Sequence, residues 1–313
     1  MTLPSITALR CLDASARLLS FTRAAVELHL TQSAVSHHIL NLERDLGVPL
    51  FVRNRAGLKL TDAGRSYWAE ISSALRQLER ATETIQATGG LGGVLNISVS
   101  TSLGSYWLMP RLHDFATKNP DITLNLSTRI GPLDFSTNQE DASIEFCVGR
   151  EEGLAAFEVM PLVLRPYIAF DALSPKAQEA MRRAGVLSRK LLVDVLNTHQ
   201  LVRRSTVLDA WPGWIAASKL DGEIPDKHLV SGPRYSLLSM ALSAASQGLG
   251  IALLPKYVAS GAVEAGSLCC ISAMSWKSSH SYYLRWPLWR PELEALNRFR
   301  LWLETQMAES QDN

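Results

Sequence analysis

The chain has 313 residues, of which 47% are hydrophobic, and its 31 Lys and Arg against 30 Asp and Glu leave a formal net charge of +1. That length suggests two or three domains with enough apolar content for packed cores. Near-neutrality excludes a broadly basic, sequence-blind nucleic-acid binder, although the first 90 residues carry 10 Lys and Arg against 8 Asp and Glu, so what excess exists lies there.

Four cysteines, Cys11, Cys147, Cys269 and Cys270, stand at no metal-binding spacing and suggest a reducing cytoplasm. A redox switch at the adjacent Cys269 and Cys270 would require a strained bridge. The opening MTLPSITALRCL lacks the basic, apolar and cleavage regions of a secretory signal. Ser236–Pro255 is the best membrane candidate, but Ser239, Ser243, Ser246 and Gln247 interrupt it. A buried helix followed by a strand explains that window better, so no membrane is expected.

Residues 21–46, FTRAAVELHLTQSAVSHHILNLERDL, have the pattern of a helix-turn-helix. Ala24, Ala25 and Leu28 give a first helix a small apolar face that lets another helix cross closely. Leu30 and Thr31 form a short connection, with Thr31 as N-cap of the next helix. Val35, Ile39, Leu42 and Leu46 then recur as one helical stripe, and Gln32, Ser33, Ser36 and His37 occupy the opposite face. Those short hydrogen-bonding side chains suit the reading of base edges in a major groove. The same pattern also fits an ordinary helical hairpin with a solvated polar face.

Gly47 stops the second helix, and Leu50–Arg53 and Leu58–Leu60 read as two short strands around a tip at Asn54–Gly57. This is a small wing, with Arg53, Arg55, Lys59 and Arg65 set against Asp62 alone, as contact with phosphates requires. Residues 4–64 closely resemble the winged helix-turn-helix of LysR-type transcriptional regulators. The resemblance rests on F-T-R-A-A-x-x-L, T-Q-S-A-V-S-H-x-I-x-x-L-E, L-G-V-P-L-F-x-R and L-T-D-A-G, in that order. It implies that Phe21, Thr22, Arg23 and Thr31 join Gln32, Ser33, Ser36, His37, Arg53 and Arg55 at the DNA interface. Leu40 departs from the pattern, because many members carry a basic or polar residue there.

Between Thr61 and Thr88, Ile71, Leu78 and Ile85 repeat every seven residues, with Leu75 and Thr82 between them. This predicts one helix of about 25 residues, about 40 Å long, with a continuous apolar seam. A 60-residue winged domain is too small to bury that seam, so a second copy of the helix is the natural cover. Packing against the chain's own C-terminal part is the alternative. The resemblance favours the dimer, since its linker helix lies here. Gly89, Gly90, Gly92 and Gly93 form a flexible hinge, which puts a domain boundary near 90.

Beyond 94, strand-like and helical runs alternate. Strands are expected at 94–99, 122–126, 143–148, 162–170, 200–203, 228–231, 250–254, 268–271 and 282–286. Helices are expected at 102–117, 175–183, 211–218, 236–247 and 291–307. Such alternation predicts a mainly parallel sheet with helices on both faces. The span is long for one sheet and suggests two lobes, with Pro161–Ala169 and Leu268–Ser272 as crossing segments. The pattern, with S-Q-G-L-G-I-A-L-L-P as its best local match, resembles the effector-binding domain of the same family, which looks like a type 2 periplasmic binding protein.

Ligands of such a fold bind near strand C-termini. Ser100, Thr101 and Ser102 end the first strand and open a helix, where their hydroxyls could hold an anion or simply cap. Thr128 and Arg129 end the second strand. Arg203 and Arg204 end another, and Arg234 and Tyr235 precede the helix at 236–247. By the family's pattern these loops border an effector cleft, and their arginines suggest an anionic or zwitterionic ligand, although each arginine is also an ordinary surface residue. No G-x-S-x-G elbow, H-E-x-x-H pair or Walker loop is present, and adjacent His37 and His38 diverge by about 100° on a helix, so neither an enzyme nor a metal cofactor is expected.

The expected architecture is therefore α/β, with a winged helix-turn-helix at 1–62, a linker helix and hinge at 63–90, and a two-lobed effector domain at 91–313. Lobe I takes about 91–163 and 270–313, and lobe II about 164–269. The implied function is a cytoplasmic, sequence-specific transcriptional regulator controlled by a small-molecule effector. Its expected partners are double-stranded DNA with an interrupted palindrome, a second copy as homodimer and further as homotetramer, and RNA polymerase as a candidate. The alternative is a cytoplasmic solute-binding protein whose N-terminal helices only dimerise. Details such as Y-W-L-M-P-R-L look most like the branch that includes regulators of glycine cleavage, D-serine use and β-lactamase.

Overall fold

Three capped helices open the chain in the computed structural model, which describes residues 3–54, 57–88, 93–129, 131–136, 138 and 140–311. Two units, Met1–Leu91 and Gly92–Asn313, each make their own contacts. In the first, α1 (Ile6–Leu18), α2 (Phe21–Leu28) and α3 (Gln32–Leu46) begin after Ser5, Ser20 and Thr31, whose hydroxyls accept from the backbone N–H of Ala8, Arg23 and Ala34. Each cap satisfies a donor that the first helical turn leaves unpaired. His29, in the left-handed region at φ 55°, turns the chain between α2 and α3. Cys11, Leu12, Ala24, Ala25, Val35, Ile39, Leu42 and Leu50 form the core of this unit.

α3 stops at Gly47, whose φ of 74° a side chain rarely adopts. An antiparallel ribbon follows, β1 (Phe51–Asn54) and β2 (Gly57–Leu60), with Phe51 opposite Leu60 and Asn54 opposite Gly57. Two contacts hold its root against the helices. Glu43 Oε1, from the last turns of α3, accepts from Leu50 N at 2.7 Å and Phe51 N at 3.0 Å. The rings of Phe21 and Phe51 meet edge to face, 5.3 Å apart. Gly64 then lets the chain pass the same root, because a Cβ there would lie 2.1 Å from the Leu50 carbonyl oxygen.

α4 (Asp62–Thr88) is a single helix of 27 residues. Its apolar seam is not uniform: the winged unit covers one part of it and leaves another exposed. Ile71 packs on the core of the first unit and Leu75 is buried, while Trp68 Nε1 donates to Asp13 Oδ1 at 2.9 Å. Leu78 is 54% exposed. Thr82 is exposed too. The side chain of Ile85 and the glycines at 89, 90 and 92 lie outside the described residues.

In the second unit, β3 (Gly93–Ser100) leads into a continuous helical segment. It comprises α5 (Thr101–Leu103), a π turn over Gly104–Leu108, a 3-10 turn over Met109–Arg111 and α6 (Leu112–Lys118). β4 (Ile122–Arg129), β5 (Ala142–Cys147) and the 16-residue β6 (Leu154–Ala169) follow. Next come α7 (Pro175–Ala184), α8 (Arg189–Thr198), β7 (Leu201–Arg204), α9 (Ala210–Ala217), α10 (Asp226–Ser231), β8 (Arg234–Tyr235), α11 (Leu238–Ser246), β9 (Ile251–Leu254) and α12 (Lys256–Glu264). β10 (Leu268–Cys270), β11 (Trp276–Pro287) and α13 (Glu294–Gln311) complete the unit.

Among the described residues these strands form one sheet in the order β4-β3-β5-β11-β6-β9-β7-β8, with β10 also on β6. β3 pairs parallel with β4 and β5, and β7 parallel with β8 and β9. β6 and β11 run antiparallel to each other, β11 antiparallel to β5, and β6 antiparallel to β9. The expected mainly parallel sheet is thus mixed: two parallel triplets are joined by a pair of long crossing strands. Residues 228–231 belong to α10, which corrects the expected strand. Leu229 is buried while Val230 is 59% exposed, and so short an apolar run carries no periodicity that separates helix from strand. α8, α12 and the first half of β6 are further elements absent from the sequence expectation.

Candidate DNA-binding face and ligand cavity

α3 divides sharply. Val35, Ile39 and Leu42 are buried at 0–2% exposure, whereas Gln32, Ser33 and His37 are exposed and Ser36 is half-buried. The exposed groups are ordered among themselves. Gln32 Nε2 donates to Ser36 Oγ at 2.9 Å, the hydroxyls of Thr31 and Ser33 are 3.0 Å apart, and Asn41 Nδ2 is 3.2 Å from His37 Nδ1. The two i to i+4 contacts, Gln32 with Ser36 and His37 with Asn41, order polar groups on the exposed face, as base-edge recognition needs.

The remaining residues of this face are distributed differently. Thr22 and Arg23 are exposed at the start of α2, and Arg23 Nη2 donates to the Leu18 carbonyl. Phe21 spends its ring on the wing root. Arg65 pairs with Asp62 and also donates to the Leu60 carbonyl, so its charge is locally balanced. Lys59 is exposed on β2. Arg53 lies on β1, but its side chain, like all of Arg55, is outside the described residues.

In the second unit a cavity of about 500 Å³ opens where the two parallel triplets meet the crossing strands. Ser100, Thr101, Ser102 and Arg129 border it from one triplet, and Arg204 from the other. Thr128, Arg203 and Tyr235 do not line it. Alternation along a strand explains the first two, since neighbours point to opposite faces. Arg203 Nη1 donates instead to the Val230 carbonyl, and Tyr235 packs among the apolar residues beside α11. Ser100, at the helix start, makes no capping hydrogen bond, so its hydroxyl is not spent on the helix.

Sequence reasoning missed Tyr282, Glu145 and Arg285. Arg285 on β11 is 3% exposed, and its Nη1 meets Glu145 Oε2 at 3.0 Å while its Nη2 donates to Glu151. Glu145 Oε1 accepts from Leu133 N at 2.7 Å. A charged residue inside each of two apolar strands, A-S-I-E-F-C and Y-Y-L-R-W, was the available signal, because buried charges must find partners. Tyr282 stands at a register shift of β11, where a bulge re-aims side chains, and its hydroxyl is 3.4 Å from that of Tyr257. Burial pushes both phenols above their ordinary values, so both remain protonated donors.

A larger cavity of about 1070 Å³ lies among Tyr106, Trp107, Arg165, Tyr257 and Lys277. Cys269 and Cys270 are free, and burial raises both thiols, Cys269 to about 12, which leaves little thiolate for redox chemistry. Among the described residues no group of His, Cys, Asp and Glu is arranged to hold a metal ion, and no helix is long and apolar enough to cross a membrane.

Residues 6–65 match the bacterial regulatory helix-turn-helix of the LysR family, and residues 88–308 match the LysR substrate-binding domain. The chain belongs to the LysR family of DNA-binding transcriptional regulators. It is 32% identical to the glycine cleavage system transcriptional activator of Escherichia coli over 310 residues, 99% of this chain and 96% of that protein. It is 35% identical to the transcriptional activator AmpR of Pseudomonas aeruginosa over 302 residues, 95% of this chain and 94% of that one. The solved effector domain of AmpR from P. aeruginosa covers 70% of this LysR-family chain at a TM-score of 0.57 and 28% identity, with 98% of that domain matched. Full-length AphB of Vibrio cholerae, a virulence activator, shares the fold over 96% of this chain and 99% of its own at a TM-score of 0.54 and 21% identity.

Proposed function

We propose that α3 reads the operator through Gln32, Ser33, Ser36 and His37, while Thr22, Arg23, Thr31, Lys59, Arg53 and Arg55 hold the phosphate backbone. The observation that carries this reading is the ordered polar face of α3 opposite its fully buried stripe. Residues 1–62 serve as the DNA-binding domain and 63–90 as linker. Residues 91–313 serve as effector domain, with lobe I at about 91–163 and 270–313 and lobe II at about 164–269. The exposed Leu78 favours a homodimer through the linker helices, and pairing of dimers extends this to a tetramer. Such an assembly acts in the cytoplasm on an interrupted palindrome, in reach of RNA polymerase. An anionic or zwitterionic metabolite in the 500 Å³ cavity sets its state. Two relatives are named activators, which favours activation over repression.

Footprinting and salt titration on a cognate fragment and on random DNA test the reading. Gln32→Ala should cost about 1–3 kcal/mol at the cognate site and relax preference at one base pair. Lys59→Ala should weaken both DNAs alike and lower the salt slope by about one per subunit. If Gln32→Ala also loses affinity equally on both, α3 is not the reader.

A further inference from the structure

Ser33, His37, Leu40 and Arg44 stand at i, i+4, i+7 and i+11 on α3, in a stripe opposite the buried Val35, Ile39 and Leu42, and all four are exposed. Three of them are polar, and Leu40 is 63% exposed between them. The groups around it are set for hydrogen bonds or charge. His37 Nδ1 accepts from Asn41 Nδ2 at 3.2 Å, which leaves Nε2 to carry the donor of a neutral ring. Ser36 Oγ accepts from Gln32, and the Arg44 guanidinium, 3.8 Å from Asp45, closes the stripe. The Leu40 side chain can neither donate nor accept. A single exposed leucine is ordinary on a protein surface. This one lies one helical turn beyond Ser36 and His37 on the same side, so docking α3 in a groove takes it out of water against a base edge.

All four bases offer hydrogen-bonding groups in the major groove, but only thymine adds an apolar one, its C5 methyl. A leucine laid on a donor or acceptor would strip its water and return no hydrogen bond. We propose that Leu40 reads one thymine in each half-site through that methyl group. Gln32 and Leu40 lie about 12 Å apart along the helix, so this thymine belongs to a different base pair from the one Gln32 governs. The inference rests on the reading of α3 as the operator helix and adds a base identity that the polar residues of that helix do not supply.

The test starts from duplexes selected out of a randomised pool by the full-length protein, with each thymine then replaced singly by deoxyuridine. That replacement removes the methyl group and keeps the pairing edge and O4. One thymine per half-site should be required, and its replacement should weaken wild-type binding about fourfold, as expected for one methyl group no longer taken out of water. Leu40→Ala should fold, because the side chain is exposed and alanine is the better helix former, and it should bind the thymine and deoxyuridine duplexes equally. Leu40→Gln should no longer select thymine at that position. A wild type indifferent to every replacement, or a Leu40→Ala variant that keeps the fourfold difference, would overturn the thymine contact. Gln32→Ala separates this from the wider reading. If that variant loses affinity only on the selected duplex while the deoxyuridine effect is absent, α3 stays the reader and Leu40 has no part in it. Equal loss on selected and random DNA removes both.

Discussion

Replacing Glu43 with alanine should detach the wing from the recognition helix without touching a DNA contact. Its Oε1 accepts from the N–H groups of both Leu50 and Phe51, and Leu50 is completely buried, so water cannot take over that donor. A hydrogen bond to a charged group contributes about 1.5–3 kcal/mol, and an orphaned buried N–H costs about 1–3 kcal/mol. Because both bonds share one oxygen, their losses are not additive, and about 2–4 kcal/mol is expected for the first unit. Alanine is the better helix former, so α3 itself gains nothing to lose. At about 4–8 °C per kcal/mol for a domain of this size, the midpoint of the first unit should fall by about 8–32 °C. Glu43→Gln keeps an oxygen for the same N–H groups and should cost only about 1 kcal/mol. Thermal unfolding of the full-length variants followed by circular dichroism, with operator binding measured well below the midpoint, checks this. A Glu43→Ala chain that unfolds with the wild-type midpoint would refute the argument.

Leu78→Glu should leave the first unit folded, because the side chain is exposed there, but should dissociate a dimer by placing a charge in a dry helix pair at a cost of several kcal/mol. Light scattering that shows an unchanged dimer would end the linker-helix proposal. Asp121 is held below the usual carboxylate range chiefly by its hydrogen bonds from Arg298, at 2.7 and 2.9 Å. A carboxyl depressed on folding adds stability above its unfolded pKa and loses it as pH falls through the folded value, so wild type should weaken below about pH 4 more steeply than Asp121→Asn. Denaturant midpoints across the acid range measure it, and parallel curves would remove the pair from the acid response.

Elements whose signal is local were legible in the residues alone. The T-Q-S-A-V-S-H-x-I-x-x-L-E run contains a cap, a buried stripe and an opposite polar face, and all three are properties of a single helix at 3.6 residues per turn. Gly47 ended that helix for an equally local reason, its positive φ. Ser100, Thr101, Ser102, Arg129 and Arg204 could be named because they end strands, and the direction each faces followed only once the strands were paired. Tertiary structure decided what depends on partners distant in the chain. Whether the α4 seam was spent inside the first unit depended on where α1 lies, which no heptad count contains. The mixed sheet arose because β6 is long enough to pair with β11 at one end and β9 and β10 at the other, and pairing direction is a non-local choice. The meeting of Arg285 with Glu145 joins residues 140 positions apart, and the strand interiors that hold them read as apolar runs. Burial is a property of the assembled fold, so buried nitrogens that meet no acceptor among the described residues, as Nε and Nη1 of Arg204, can be recognised only when every neighbour is in place.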